Sequence, residues 1–152
     1  MSSKIVLELI WWLITAIVTC AVLYPIWNEV QDYPFWFENT LSIVLLITYA
    51  RYIFLLKHTF LANIEWLKVI FVLLSPMIIF YLGLQVNRFQ VNIDEQGIEY
   101  ITKGVRDGRV LTMASYIRAE YMFFAIATVI SGIIFTGRMM GSIWRKRNLG
   151  TV

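Results

Sequence analysis

The chain has 152 residues, of which 59% are hydrophobic, 16% aromatic and only 15% charged, with a formal net charge of +3. Soluble domains average about 45–50% apolar and about 25% charged residues, so the composition argues against an ordinary soluble domain and for an integral membrane protein. A single cysteine, Cys20, and a single histidine, His58, exclude an internal disulfide and a zinc set made only of Cys and His.

A helix needs about 20 largely apolar residues to cross about 30 Å of hydrocarbon. The first such run is 5–27, "IVLELIWWLITAIVTCAVLYPIW". It exceeds the 7–15 apolar residues of a signal-peptide core, and no small-x-small site follows, so it is expected to remain as a helix. "IVTC" is a poor lipobox, because Thr19 is bulky and the residues after Cys20 are apolar. Tyr24, Trp27, Tyr33, Phe35, Trp36 and Phe37 cluster around the connection 28–40, "NEVQDYPFWFENT", and Pro25 and Pro34 bracket a turn. The connection is expected to turn at the headgroup level, where part-polar rings are favoured.

The second run, 39–61, carries Arg51 in its second half, followed by Lys57 and His58. Lys57 lies about 9 Å further along a helix, a distance over which the Arg51 side chain can snorkel. Two other readings remain open. Glu8 enters on the first span from the same side and could form an intramembrane ion pair with Arg51, or the charge could line a proton or ion path. A short turn near 62–64 then makes the second and third spans a tight antiparallel hairpin. The third run, 64–86, contains Pro76, which removes a helix hydrogen bond and predicts a kink.

Residues 88–112 change character. Phe89, Val91 and Ile93 alternate with polar residues, "DEQG" offers a turn, and Asp107-Gly108 is a two-residue hairpin signal. These features predict a small extracytoplasmic β-meander or hairpin between the third and fourth spans. Val91, Ile93, Ile98 and Tyr100 are its candidate partner-docking residues, by strand addition.

The fourth span, 115–137, carries Thr128, Gly132 and Thr136 at spacing four, then Gly137-x-x-x-Gly141. Small residues at this spacing let helix backbones approach closely, so these five are the candidate packing residues. The helix can continue past the membrane as "RMMGSIWRKRN" within the basic cytoplasmic tail 138–152, which brings Trp144, Arg145, Lys146 and Arg147 to the surface, a set suited to anionic lipid.

Orientation follows from Lys and Arg. With the N-terminus inside, the inner face gathers Lys4, Arg51, Lys57, Lys68, Arg138, Arg145, Lys146 and Arg147 against two acids, Glu8 and Glu65. The outer face holds Arg88, Lys103, Arg106, Arg109 and Arg118 among a larger set of acids. Both termini are therefore expected in the cytoplasm of a bacterium, with the chain in the inner membrane.

The expected fold class is an all-α integral membrane protein, a four-transmembrane-helix bundle with the small β-element, in one domain. No phosphate loop, nucleophile elbow, zinc helix or nucleotide fingerprint is present. The outer acids, Glu120 among them, form no evident pair. No catalytic, cofactor-binding or metal residue is assigned, and neither a cofactor nor a nucleic-acid partner is expected. The partners expected are the lipid bilayer and other membrane subunits or copies of the chain. The leading expectation is a non-catalytic subunit that scaffolds or stabilises a larger membrane complex; the alternative is a homo-oligomeric channel or transporter.

Overall fold

An apolar backbone in lipid must satisfy its own hydrogen bonds, and this chain does so as helices. The computed structural model describes residues 3–62 and 64–149. Four long helices follow one another: α1 (Ser3–Glu29), α2 (Trp36–Leu55), α3 (Glu65–Gln96) and α4 (Val110–Leu149). All four are long and apolar enough to cross a membrane, the pattern of a multi-pass membrane protein. They run up, down, up and down. The terminal end of the bundle carries the start of α1, the end of α4 and the α2–α3 connection. The far end carries the connections 30–35 and 97–109.

α4 is the centre of the bundle. It packs along both α2 and α3, whereas α1 lies mainly against α2. At the far end, Phe35 lies edge-on to Phe89 and Tyr121 at 5.1 and 5.7 Å, and Phe89 stacks on Tyr121 at 4.1 Å. At the terminal end, Phe135 stacks on Tyr49 at 4.8 Å and meets the Phe71 edge at 5.9 Å. Each ring pair contributes about 0.5–1.5 kcal/mol beyond its buried area.

The β-element is not formed: among the described residues there is no strand. α3 instead continues to Gln96. The apolar residues Leu82, Val86, Phe89 and Ile93 recur at helical spacing, and Phe89 and Leu82 are buried. Extending an existing helix needs no new nucleus, so three alternating residues do not start a strand there. Gly97, at φ +76°, ends the helix, with its N–H donating to the Ile93 carbonyl at 2.9 Å. Asp107-Gly108 makes no hairpin either. Gly108 lacks the positive φ a two-residue hairpin requires, and Asp107–Arg109 form a 3-10 turn leading into α4.

Two further boundaries differ from the sequence reading. Pro25 lies inside α1, whose helix runs on to Glu29, so the turn begins later. The α2–α3 connection is longer than a three-residue turn, because α2 stops at Leu55. There Thr59 turns extended and its hydroxyl donates to the Leu56 carbonyl at 2.8 Å, while Leu56 and Leu61 tuck into the core. The fourth helix does continue through the basic segment, to Leu149, and 150–152 lie outside the described residues. The aromatic connection also divides: Tyr33 and Phe35 are buried, while Trp27 and Phe37 are exposed.

Candidate functional site

The polar side chains within the bundle tie helices to one another. Toward the terminal end, the Arg51 guanidinium forms an ion pair with the Glu8 carboxylate, joining α2 to α1. Arg51 is buried, and its Cζ lies 5.1 Å from the Tyr52 ring centre. A paired charge in a low-dielectric setting costs far less than a lone one.

Lys68 was not singled out as a site in the sequence, yet it is fully buried. Its ammonium donates to the Ala62 carbonyl at 2.6 Å and to the Ser142 hydroxyl at 2.9 Å, joining α3, the α2–α3 connection and α4. Both acceptors are neutral. The only sequence signal is a lysine one turn inside an apolar span, which also fits a snorkelling surface residue.

At the far end, the Asn39 amide donates to the Glu120 carboxylate at 2.8 Å, joining α2 to α4. Asn39 Oδ1, Glu120 Oε1 and the Tyr33 hydroxyl are buried and make no hydrogen bond among the described residues. Burial pushes the Tyr33 hydroxyl well above its ordinary pKa, and the nearby Glu120 carboxylate adds to the rise. Around this core, Tyr116 donates to the Val22 carbonyl at 2.7 Å, Arg109 pairs with Glu29 at 2.7 Å, and the Gln31 N–H donates to the Lys103 carbonyl at 2.7 Å. The far-end connections are thereby fastened to α1 and α4.

The five small residues of α4 divide between two faces. Thr128 turns inward, its hydroxyl 2.7 Å from the Ser42 carbonyl. A Cβ at Gly132 would lie 3.0 Å from Ile79 Cγ1 and 3.2 Å from Tyr49 Cε2, so this glycine is where α3 and α2 close on α4. Thr136 donates back to the Gly132 carbonyl at 2.8 Å. Gly137 and Gly141 face elsewhere, and a Cβ at either would meet nothing within 4 Å. They form a shallow notch flanked by the exposed side chains of Ile130, Ile133, Ile134, Met140 and Trp144.

The remaining sequence candidates are scattered. Val91 is exposed on α3, Ile93 packs partly against the core, and Ile98 and Tyr100 lie in a 3-10 turn. These four make no common docking edge, because the described residues hold no strand to align them. Pro76 sits on an exposed face of α3, and the helix continues across it. Trp144 and Arg147 are exposed, Arg145 is half-buried, and Lys146 pairs with Glu65 at 3.2 Å. Among the described residues, no three His, Cys, Asp or Glu side chains come together as a metal set.

Comparison with protein-family models, curated proteins and solved structures finds no match.

Proposed function

We propose that this chain is a non-catalytic subunit of a bacterial inner-membrane assembly, and that it scaffolds the assembly by docking a partner's transmembrane helix on the outward face of α4. The observation that carries this reading is the open pair Gly137 and Gly141, one turn apart between exposed apolar side chains. Two glycines at this spacing let a second helix come close enough for backbone-to-backbone packing, the main attraction available between helices in lipid. The contacts of Gly132 lie within the chain, so a neighbour has Gly137 and Gly141 to use. The distribution of Lys and Arg supports an orientation with both termini in the cytoplasm. The docking face then lies in the inner half of the membrane.

The test is purification in mild detergent with Gly137 and Gly141 both replaced by leucine. Leucine is a better helix former than glycine by nearly 1 kcal/mol per site, so the chain itself should stay folded. Loss of a co-purifying membrane protein at unchanged melting temperature is the expected result. A partner retained in full by the double variant rejects this face. A wild-type chain that purifies only as a closed oligomer of itself rejects the scaffold reading in favour of a homo-oligomeric channel or transporter.

A further inference from the structure

At the terminal end, a cleft of about 730 Å³ opens between the first turns of α3 and the last turns of α4. Trp66, Val69 and Ile70 form its apolar wall, and Glu65, Lys146 and Arg147 stand at its rim. The wall is open to the surroundings: Trp66 is 67% exposed, and the same stripe continues along α3 through Leu73, also 67% exposed. Lys68, between the wall residues Trp66 and Val69 in sequence, turns inward instead and is fully buried, its ammonium held by a carbonyl and a hydroxyl. No ion pair to Lys68 is formed among the described residues; the one acid at the rim, Glu65, is paired with Lys146 instead. The cleft therefore joins an apolar wall to a rim where Lys146 and Arg147 outweigh one carboxylate.

We infer that this cleft holds an anionic phospholipid, with its phosphate at Arg147 and Lys146 and one acyl chain along Val69, Ile70 and Leu73. The chemistry is complementary at both ends of such a molecule. An arginine presents a planar fork of N–H donors that matches phosphate oxygens. An acyl chain continues the apolar stripe into the bilayer. The electrostatic balance favours an anionic headgroup, since a zwitterionic one brings its own cation to a rim already positive. This site is separate from the Gly137 and Gly141 face, and either can fail without the other.

The experiment uses the full chain in a neutral mild detergent, with lipid retention read by native mass spectrometry. The probes are phosphatidylglycerol, phosphatidylcholine and water-soluble glycerol 3-phosphate. Phosphatidylglycerol should be retained about tenfold more strongly than phosphatidylcholine, and glycerol 3-phosphate should not bind measurably. Arg147→Gln should weaken phosphatidylglycerol about fivefold, the effect of one basic residue near an anionic headgroup. Glu65→Gln should strengthen it, because it removes the acid among the residues that line the cleft. Trp66→Gln, at an exposed position where folding is not at stake, should weaken it through the wall. Lys57→Gln, exposed on the α2–α3 connection outside the cleft, should leave it unchanged. Equal retention of the two lipids overturns the inference, as does an equal loss with Lys57→Gln, which would indicate a diffuse field. Binding of glycerol 3-phosphate as tight as that of lipid overturns it too, in favour of a site for free phosphate esters.

Discussion

Gly132 of α4 and Ile79 of α3 touch so closely that one added carbon on the glycine would lie 3.0 Å from Ile79 Cγ1. That contact sets how near the two helices stand. Gly132→Ala should cost little in net terms, because the helix gains nearly 1 kcal/mol of propensity while Ile79 shifts slightly. Gly132→Leu should lower stability by at least about 1–3 kcal/mol, the range for overpacking a filled core. Thermal unfolding in detergent separates the two. Equal melting temperatures for both variants would mean that the helices slide apart without penalty.

The Glu8 and Arg51 pair should behave as a unit. Glu8→Gln strands a buried guanidinium, and Arg51→Gln strands a carboxylate that is only partly exposed. Each single change should destabilise by about 1–3 kcal/mol, below the 3–5 kcal/mol of a fully buried pair. The double variant should cost less than the two losses added together. Strict additivity in a double-mutant cycle would show that the two charges do not depend on each other.

Asn39 and Glu120 predict an asymmetry. In Glu120→Gln, the amide oxygen still accepts the Asn39 hydrogen bond at this position, and a buried charge is removed. Stability should be unchanged or higher. Asn39→Ala leaves the carboxylate buried without its one donor, at a cost of about 1–3 kcal/mol. Placing Glu120→Gln on top of Asn39→Ala should restore most of that loss. A double variant as unstable as Asn39→Ala alone would rule out the charge as the source.

Lys68 should tolerate loss of its charge better than loss of its volume. Lys68→Met keeps an unbranched chain in the same space and removes an ammonium that has only neutral acceptors. Lys68→Ala opens a cavity where α3, α4 and the α2–α3 connection meet, and large-to-small core changes cost about 2–5 kcal/mol. Melting curves should place Met well above Ala. The reverse order would make the two hydrogen bonds worth more than the packing.

Topology is testable on the described surface. In a Cys20→Ser background, Lys57→Cys and Arg106→Cys place one thiol at each end of the bundle, both at exposed positions. An impermeant thiol reagent added to intact cells should label position 106 and not position 57. Labelling of position 57 alone would invert the proposed orientation.

The four spans were legible in the sequence because an apolar run of span length has few physical solutions. Their ends were less so. Phe89, Val91 and Ile93 satisfy a period of two over five residues, but Leu82, Val86, Phe89 and Ile93 satisfy the helical period over twelve, and the longer pattern wins. Asp107-Gly108 carries hairpin chemistry without strands on either side to use it. The division of α4's small residues was not readable, since spacing along one helix does not say which face meets α2 and α3. Lys68 was hidden for a related reason. A lysine near a span end usually reaches for water, and only the position of Ser142, in the last span, shows that it turns inward.

The central place of α4 bears on how the protein is made. Helices leave the ribosome in order, so α1, α2 and α3 emerge before α4. During that interval Asn39 lacks Glu120, the Ser42 carbonyl lacks Thr128 and the Lys68 ammonium lacks Ser142. α2 and α3 make few contacts with each other apart from their shared packing on α4. The polar ties that hold α2 and α3 in place are therefore completed only when α4 arrives. A nascent chain truncated within α4 would be left inserted but open, with its interior polar groups facing lipid and exposed to membrane quality control.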